Sequence, residues 1–111
     1  MNAYQIMEPY AQKELRHFKN DFLVHDKDIL QDKKCDFLWI LRTSGTYLFL
    51  NDFSIIDDPT EEKETIIKQI KYLADFYTKQ LPHDTFKIFS YQFGNLVEVQ
   101  ITDITQIINK W

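Results

Sequence analysis

Glycine is nearly missing from this sequence: Gly45 and Gly94 are the only two. Each stands where a pair of β-rich runs must turn, so no Gly-rich loop is left to cradle a phosphate. P-loop and dinucleotide-binding chemistry are thereby excluded. The single cysteine, Cys35, cannot form an intramolecular disulfide, which agrees with a reducing compartment. No run of about 18 apolar residues is available to span a membrane. Residues Met1 to Gln5 lack the basic-then-apolar pattern of a secretory signal. The expectation is a protein retained in the cytoplasm, with no membrane partner.

Excess positive charge is also missing. The formal net charge is −4, and its source is local. Residues 1–50 balance seven acids against seven Lys/Arg, and residues 65–111 carry four acids against five lysines. Residues 51–64 hold six acids against Lys63 alone. A nucleic-acid binder gains most of its affinity from a basic face that neutralises phosphates, so the charge pattern argues against direct nucleic-acid binding. Lysine outnumbers arginine eleven to two while isoleucine is abundant. A+T-rich codons produce this bias, so part of the 15% aromatic content carries no functional meaning.

What the chain has in quantity is apolar material: 44% of 111 residues, enough for one core and the usual size of one domain spanning residues 1–111. From Pro9, the positions Tyr10, Ala11, Leu15, Phe18 and Phe22 recur at helical steps, which predicts an amphipathic helix opened by Pro9. Residues 2–8 are then an extended arm or a separate turn. Asp26 is a candidate cap for a short helical turn through Ile29 and Leu30.

The clearest local signal runs from Asp36 to Leu50. Phe37-Leu38-Trp39-Ile40-Leu41-Arg42 and Thr46-Tyr47-Leu48-Phe49-Leu50 flank Thr43-Ser44-Gly45. This predicts a hairpin with a three-residue turn and a left-handed glycine. Pairing Arg42 with Thr46 gives an aliphatic face (Leu38, Ile40, Leu48, Leu50) and a largely aromatic one (Phe37, Trp39, Leu41, Tyr47, Phe49), which Phe89 and Tyr91 extend.

A second helix is marked by Asp58 as N-cap, Pro59 at the first helical position, Glu61, Glu62 and Glu64 in the first two turns, and Pro82 past its close. Ile66, Ile70, Leu73 and Tyr77 form its buried stripe, and Lys63, Lys68, Lys71 and Lys79 are expected in solvent. A second hairpin pairs residues 85–91 with 96–101, Val97, Val99 and Ile101 facing inward. Asp103 with Gln106 resembles a capping box before a last helix that carries Ile104, Ile107, Ile108 and Trp111 on one face. The order α-β-β-α-β-β-α predicts an α+β fold with a four-stranded antiparallel sheet built from two hairpins.

Catalytic and metal chemistry find little support. Cys35 with His25-Asp26 or His83-Asp84 is a nucleophile–base pairing on paper, yet neighbours in sequence rarely build such a relay. His25, Asp26, Asp28 and Asp32 have the spacing of a calcium loop, but Gln31 stands where that loop requires Gly and Phe37 where it requires Glu. One cysteine and three scattered histidines do not make a zinc site. No catalytic residue, metal or cofactor is assigned.

Two features carry a function. The aromatic sheet face of Phe37, Trp39, Tyr47 and Phe49 is either covered by a helix or left in part as a partner or self-association surface. The segment Phe53, Ile55, Ile56, Asp57, Asp58, Glu61 and Glu62 sets apolar anchors among acids. Either the anchors tuck under the sheet edge, or the segment docks on a basic partner. The leading expectation is a non-catalytic protein-interaction or accessory protein using both, dimeric if the aromatic face is open. The alternatives are a small acidic inhibitor that occupies the basic groove of a nucleic-acid-binding protein, and a small Cys/His enzyme.

Overall fold

The computed structural model describes residues 3–14, 36–42, 45–51, 53, 56–92 and 94–111. Its elements are α1 (Ala3–Glu14), β1 (Phe37–Arg42), β2 (Gly45–Leu50), α2 (Thr60–Gln80), β3 (Phe86–Gln92), β4 (Asn95–Val99), a 3₁₀ turn (Ile101–Asp103) and α3 (Ile104–Asn109). The four strands form one antiparallel sheet in the order β2-β1-β3-β4. The α+β class and element order thus follow the sequence pattern.

β1 occupies the middle of the sheet, paired with β2 on one side and β3 on the other. Every residue from Phe37 to Leu41 is buried, which is why this strand reads as a continuous apolar run without alternation. Its odd positions face one core: Phe37, Trp39 and Leu41 gather with Phe89 of β3 and Met7 of α1, flanked by Leu48, Leu50, Tyr91 and Leu96. Its even positions face another: Leu38 and Ile40 pack with Ile88 of β3, Ile67 and Ile70 of α2, and Ile104 and Ile108 of α3. At roughly 1.5–3 kcal/mol for each large apolar side chain fully buried, both faces of the sheet contribute to stability.

The first hairpin corrects the expected register. Arg42 pairs with Gly45, Leu41 with Thr46, Ile40 with Tyr47, Trp39 with Leu48 and Leu38 with Phe49. The connection is therefore residues 43–44, and Gly45 belongs to the strand. Because side chains alternate, a slip of one residue carries all of β2 to the opposite face. Leu48 and Leu50 join Trp39, while Tyr47 and Phe49 cross to the side of α2.

Three local features also differ from the sequence reading. Helix α1 begins at Ala3 and takes Pro9 into its interior, although a proline there gives up one backbone hydrogen bond. Met7, two residues earlier, is fully buried in the Trp39 core, and that anchorage offsets part of the loss. Leu15, Phe18, Phe22 and the turn proposed for residues 25–34 lie outside the described residues.

The last helix is entered three residues earlier than expected. The Gln100 N–H donates to Asp103 Oδ2 at 3.0 Å and the Asp103 N–H donates to the Gln100 carbonyl at 2.9 Å. The pair Gln100/Asp103, with the same spacing as Asp103/Gln106, makes the turn. Val97, at the middle of the edge strand β4, is 56% exposed, whereas Val99 and, beyond the strand, Ile101 pack inward. The β3–β4 turn places Gly94 at φ +79°, a conformation open to glycine at little cost.

Candidate interaction surface

Helix α2 sets out the surface, and its first turn is held by Asp58. Thr60 donates to Asp58 Oδ1 twice, through its hydroxyl at 2.6 Å and its backbone N–H at 3.2 Å. The carboxylate of Asp58 is held below its ordinary range, first by the Thr60 hydroxyl and then by the Thr60 N–H. The Lys63 N–H donates to the Pro59 carbonyl at 2.9 Å, so Pro59 is the N-cap of α2, one residue later than the sequence implies, and Asp58 stands just outside the helix, where it accepts from Thr60.

The acidic segment divides in two. Asp57, Asp58, Glu61 and Glu62 are exposed. Phe53 and Ile56 are half-buried; the Phe53 ring lies 6.1 Å from Trp111 and Lys63 Nζ stands 5.9 Å from its centre. Lys63 also donates to the Trp111 carbonyl oxygen, so this lysine is a clasp between α2 and the residues after α3, contrary to the expectation that it is solvated. Ile55 lies outside the described residues.

The aromatic residues are separated by the β2 register. Phe37 and Trp39 are buried at 2% and 0% exposure, with Phe37 stacked on Tyr91 at 4.7 Å and Trp39 tilted against Phe89 at 5.2 Å. Tyr47 and Phe49 are neighbours 6.4 Å apart on the α2 side. Tyr47 is 42% exposed, and the Arg42 guanidinium lies 4.3 Å from its ring centre. Arg42 Nη1 donates to the Tyr77 hydroxyl at 3.2 Å. Tyr77 meets Phe76 edge-on at 5.7 Å and Phe86 at 5.2 Å.

The result is a continuous strip, Phe49–Tyr47–Arg42–Tyr77–Phe76, running from the sheet edge to α2. Phe76 is 40% exposed and Tyr72, one turn earlier, is 71% exposed. The signal for this pair was present in the sequence: Tyr72 and Phe76 are four residues apart and fall off the Ile66–Ile70–Leu73–Tyr77 stripe. Arg42 gave none, since its two aromatic neighbours, Tyr47 of β2 and Tyr77 of α2, come from separate elements.

The acidic and aromatic groups do not converge. Glu61 and Phe76 are fifteen residues apart on one helix, about 22 Å at 1.5 Å per residue. Beside α2, a groove of about 340 Å³ between Ala74 and Thr78 on one wall and Ile88 and Val99 on the other contains no His or Cys. His83 and Asp84 are exposed in the turn after α2, and Cys35, His25, Asp26, Asp28, Gln31 and Asp32 lie outside the described residues. Among the described residues no three His, Cys, Asp or Glu stand together to hold a metal, and no helix is long and apolar enough to cross a membrane. Comparison with protein-family models, with curated proteins and with solved structures gives no match.

Proposed function

We propose that this chain is a non-catalytic protein-interaction module, or accessory protein, of the cytoplasm that docks through the rings left open around α2. The observation that carries this reading is the exposure of Tyr72 and Phe76 at 71% and 40%, and of Tyr47 on β2 at 42%. Large rings cost free energy in water, and they supply binding energy at contact centres. Arg42 adds a cation already ordered between two tyrosines, so little freedom is lost when a partner meets it.

The test is to place a photo-crosslinking phenylalanine analogue at position 76 in the native host. The expected product is a defined protein adduct that disappears when Tyr47→Ser is added. An absence of any protein adduct overturns the reading.

A second reading rests on the exposed cluster Asp57, Asp58, Glu61, Glu62 and Glu64. As an acidic inhibitor, the chain would set these carboxylates in the basic groove of a nucleic-acid-binding protein. Affinity for that target would fall steeply with ionic strength and would be unchanged by Phe76→Ser, whereas docking through the rings would be lost in that variant.

A further inference from the structure

We propose, resting on the interaction-module reading, that the partner of the outer face of α2 is a second copy of this chain, lying antiparallel across it. The exposed charges of this helix divide by halves. Over residues 60–70, Glu61, Glu62 and Glu64 are exposed against Lys68, because Lys63 is engaged with Trp111. Over residues 71–80, Lys71 and Lys79 are exposed against Asp75. Each end is extended by a neighbour of the same sign. Asp57 and Asp58 precede the acidic half, while Arg42, bonded to Tyr77 and without a carboxylate partner among the described residues, lies beside the last turns.

This polarity selects one arrangement. Parallel pairing sets Glu61 beside Glu61 and Lys79 beside Lys79, and like charges repel. Antiparallel pairing sets each acidic half on a basic half and also opposes the two helix dipoles. Residues 61, 65, 68, 72, 76 and 79 succeed one another in steps of three and four, so they share one face.

A two-fold axis level with Ile70 brings Glu61 to Lys79 of the second copy, Thr65 to its Phe76 and Lys68 to its Tyr72. The last contact places an ammonium over a ring. The Asp75–Lys79 pair, at 3.1 Å with both side chains more than 60% exposed, holds Lys79 only weakly. The seam is about 30 Å long and has two aromatic residues per copy at its centre. Such a contact is at the small, polar end of protein interfaces, so the dimer is weak and salt-sensitive.

Sedimentation equilibrium of the purified chain tests this directly. The wild type should dimerise in a concentration-dependent way at low salt and dissociate at high salt. Glu61→Lys and Lys79→Glu should each weaken self-association by about tenfold, because each turns two symmetric attractions into repulsions. An equimolar mixture of these two variants should recover dimers, since the heterodimer restores both pairs. Circular dichroism of these exposed variants should match the wild type.

A wild type that stays monomeric up to about 1 mM at low salt, or a dimer indifferent to the swaps, overturns the pairing. If the position-76 crosslink then still captures a different protein, the interaction module survives without self-pairing. If it captures none, both readings fall.

Discussion

The Arg42 guanidinium and the Tyr77 hydroxyl, 3.2 Å apart, join the end of β1 to the last turns of α2. This contact closes one end of the α2-side core, with Phe86 and Tyr47 as its walls. Its coupling should be measurable. In a double-mutant cycle of Arg42→Met and Tyr77→Phe, read by urea unfolding, the interaction should come to about 1 kcal/mol. Arg42→Met should cost less than removal of the whole side chain, because the Met stem still covers the Tyr47 ring.

Trp39 should behave as a core residue. Trp39→Ser should destabilise the chain by about 3–5 kcal/mol and leave the oligomeric state of the remaining folded protein unchanged. The indole Nε1 is buried without a hydrogen-bond partner among the described residues, so Trp39→Phe should be much milder: the lost volume is partly offset by removal of a donor that those residues leave unsatisfied. Chemical denaturation with near-ultraviolet circular dichroism separates the two outcomes.

The Asp58–Thr60 contact makes a pH-dependent contribution of known sign. Its carboxyl is held below the ordinary value by Thr60, so the stabilisation is fully present above the unfolded-state pKa and is lost as pH falls through the lower folded-state value. Asp58→Ala should lower the thermal midpoint at neutral pH, and the difference from wild type should shrink as the solution is acidified past the carboxylate range. Asp58→Asn, which keeps an acceptor oxygen, should retain most of the effect at neutral pH.

Gly94 separates backbone strain from crowding. A Cβ there meets nothing within 4 Å among the described residues, yet φ is +79°. Gly94→Ala should therefore destabilise by about 1–2 kcal/mol through conformation alone, and Gly94→Asn by less, since asparagine tolerates the left-handed region better. Thermal unfolding of the two variants checks the order.

Much of the fold was legible in the sequence, and its errors have local causes. The two hairpins, α2 and the final helix follow from periodicity and turn residues, although α2 is capped at Pro59, one residue past the expected Asp58. The register of β2 did not follow, because every residue from Phe37 to Leu41 is apolar. Without polar alternation in β1, either face assignment of β2 satisfies the pattern, and the choice falls to the length of the turn before Gly45. Asp103/Gln106 has the residue types of a capping box and Gln100/Asp103 does not; the latter forms because the path out of β4 brings the Gln100 N–H to the Asp103 carboxylate. Pro9 marks a helix start by local rules because an interior proline is costly, but the burial of Met7 depends on packing that no local pattern records.

The candidate surface was legible in part. The acids of residues 57–62 were visible as charge, and they are exposed. The rings were visible as composition, but which of them remain in water depends on the β2 register and on the angle at which α2 crosses the sheet. Tyr72 and Phe76 were the readable exception, as a pair outside the buried stripe.

β1 is enclosed on all four sides, by strands at both edges and by apolar side chains above and below. Its amides have no route to deuterium short of the opening of the whole sheet. The exchange rate of Leu38 and Ile40 should therefore report the global unfolding free energy, making this single strand an internal gauge for every variant named above.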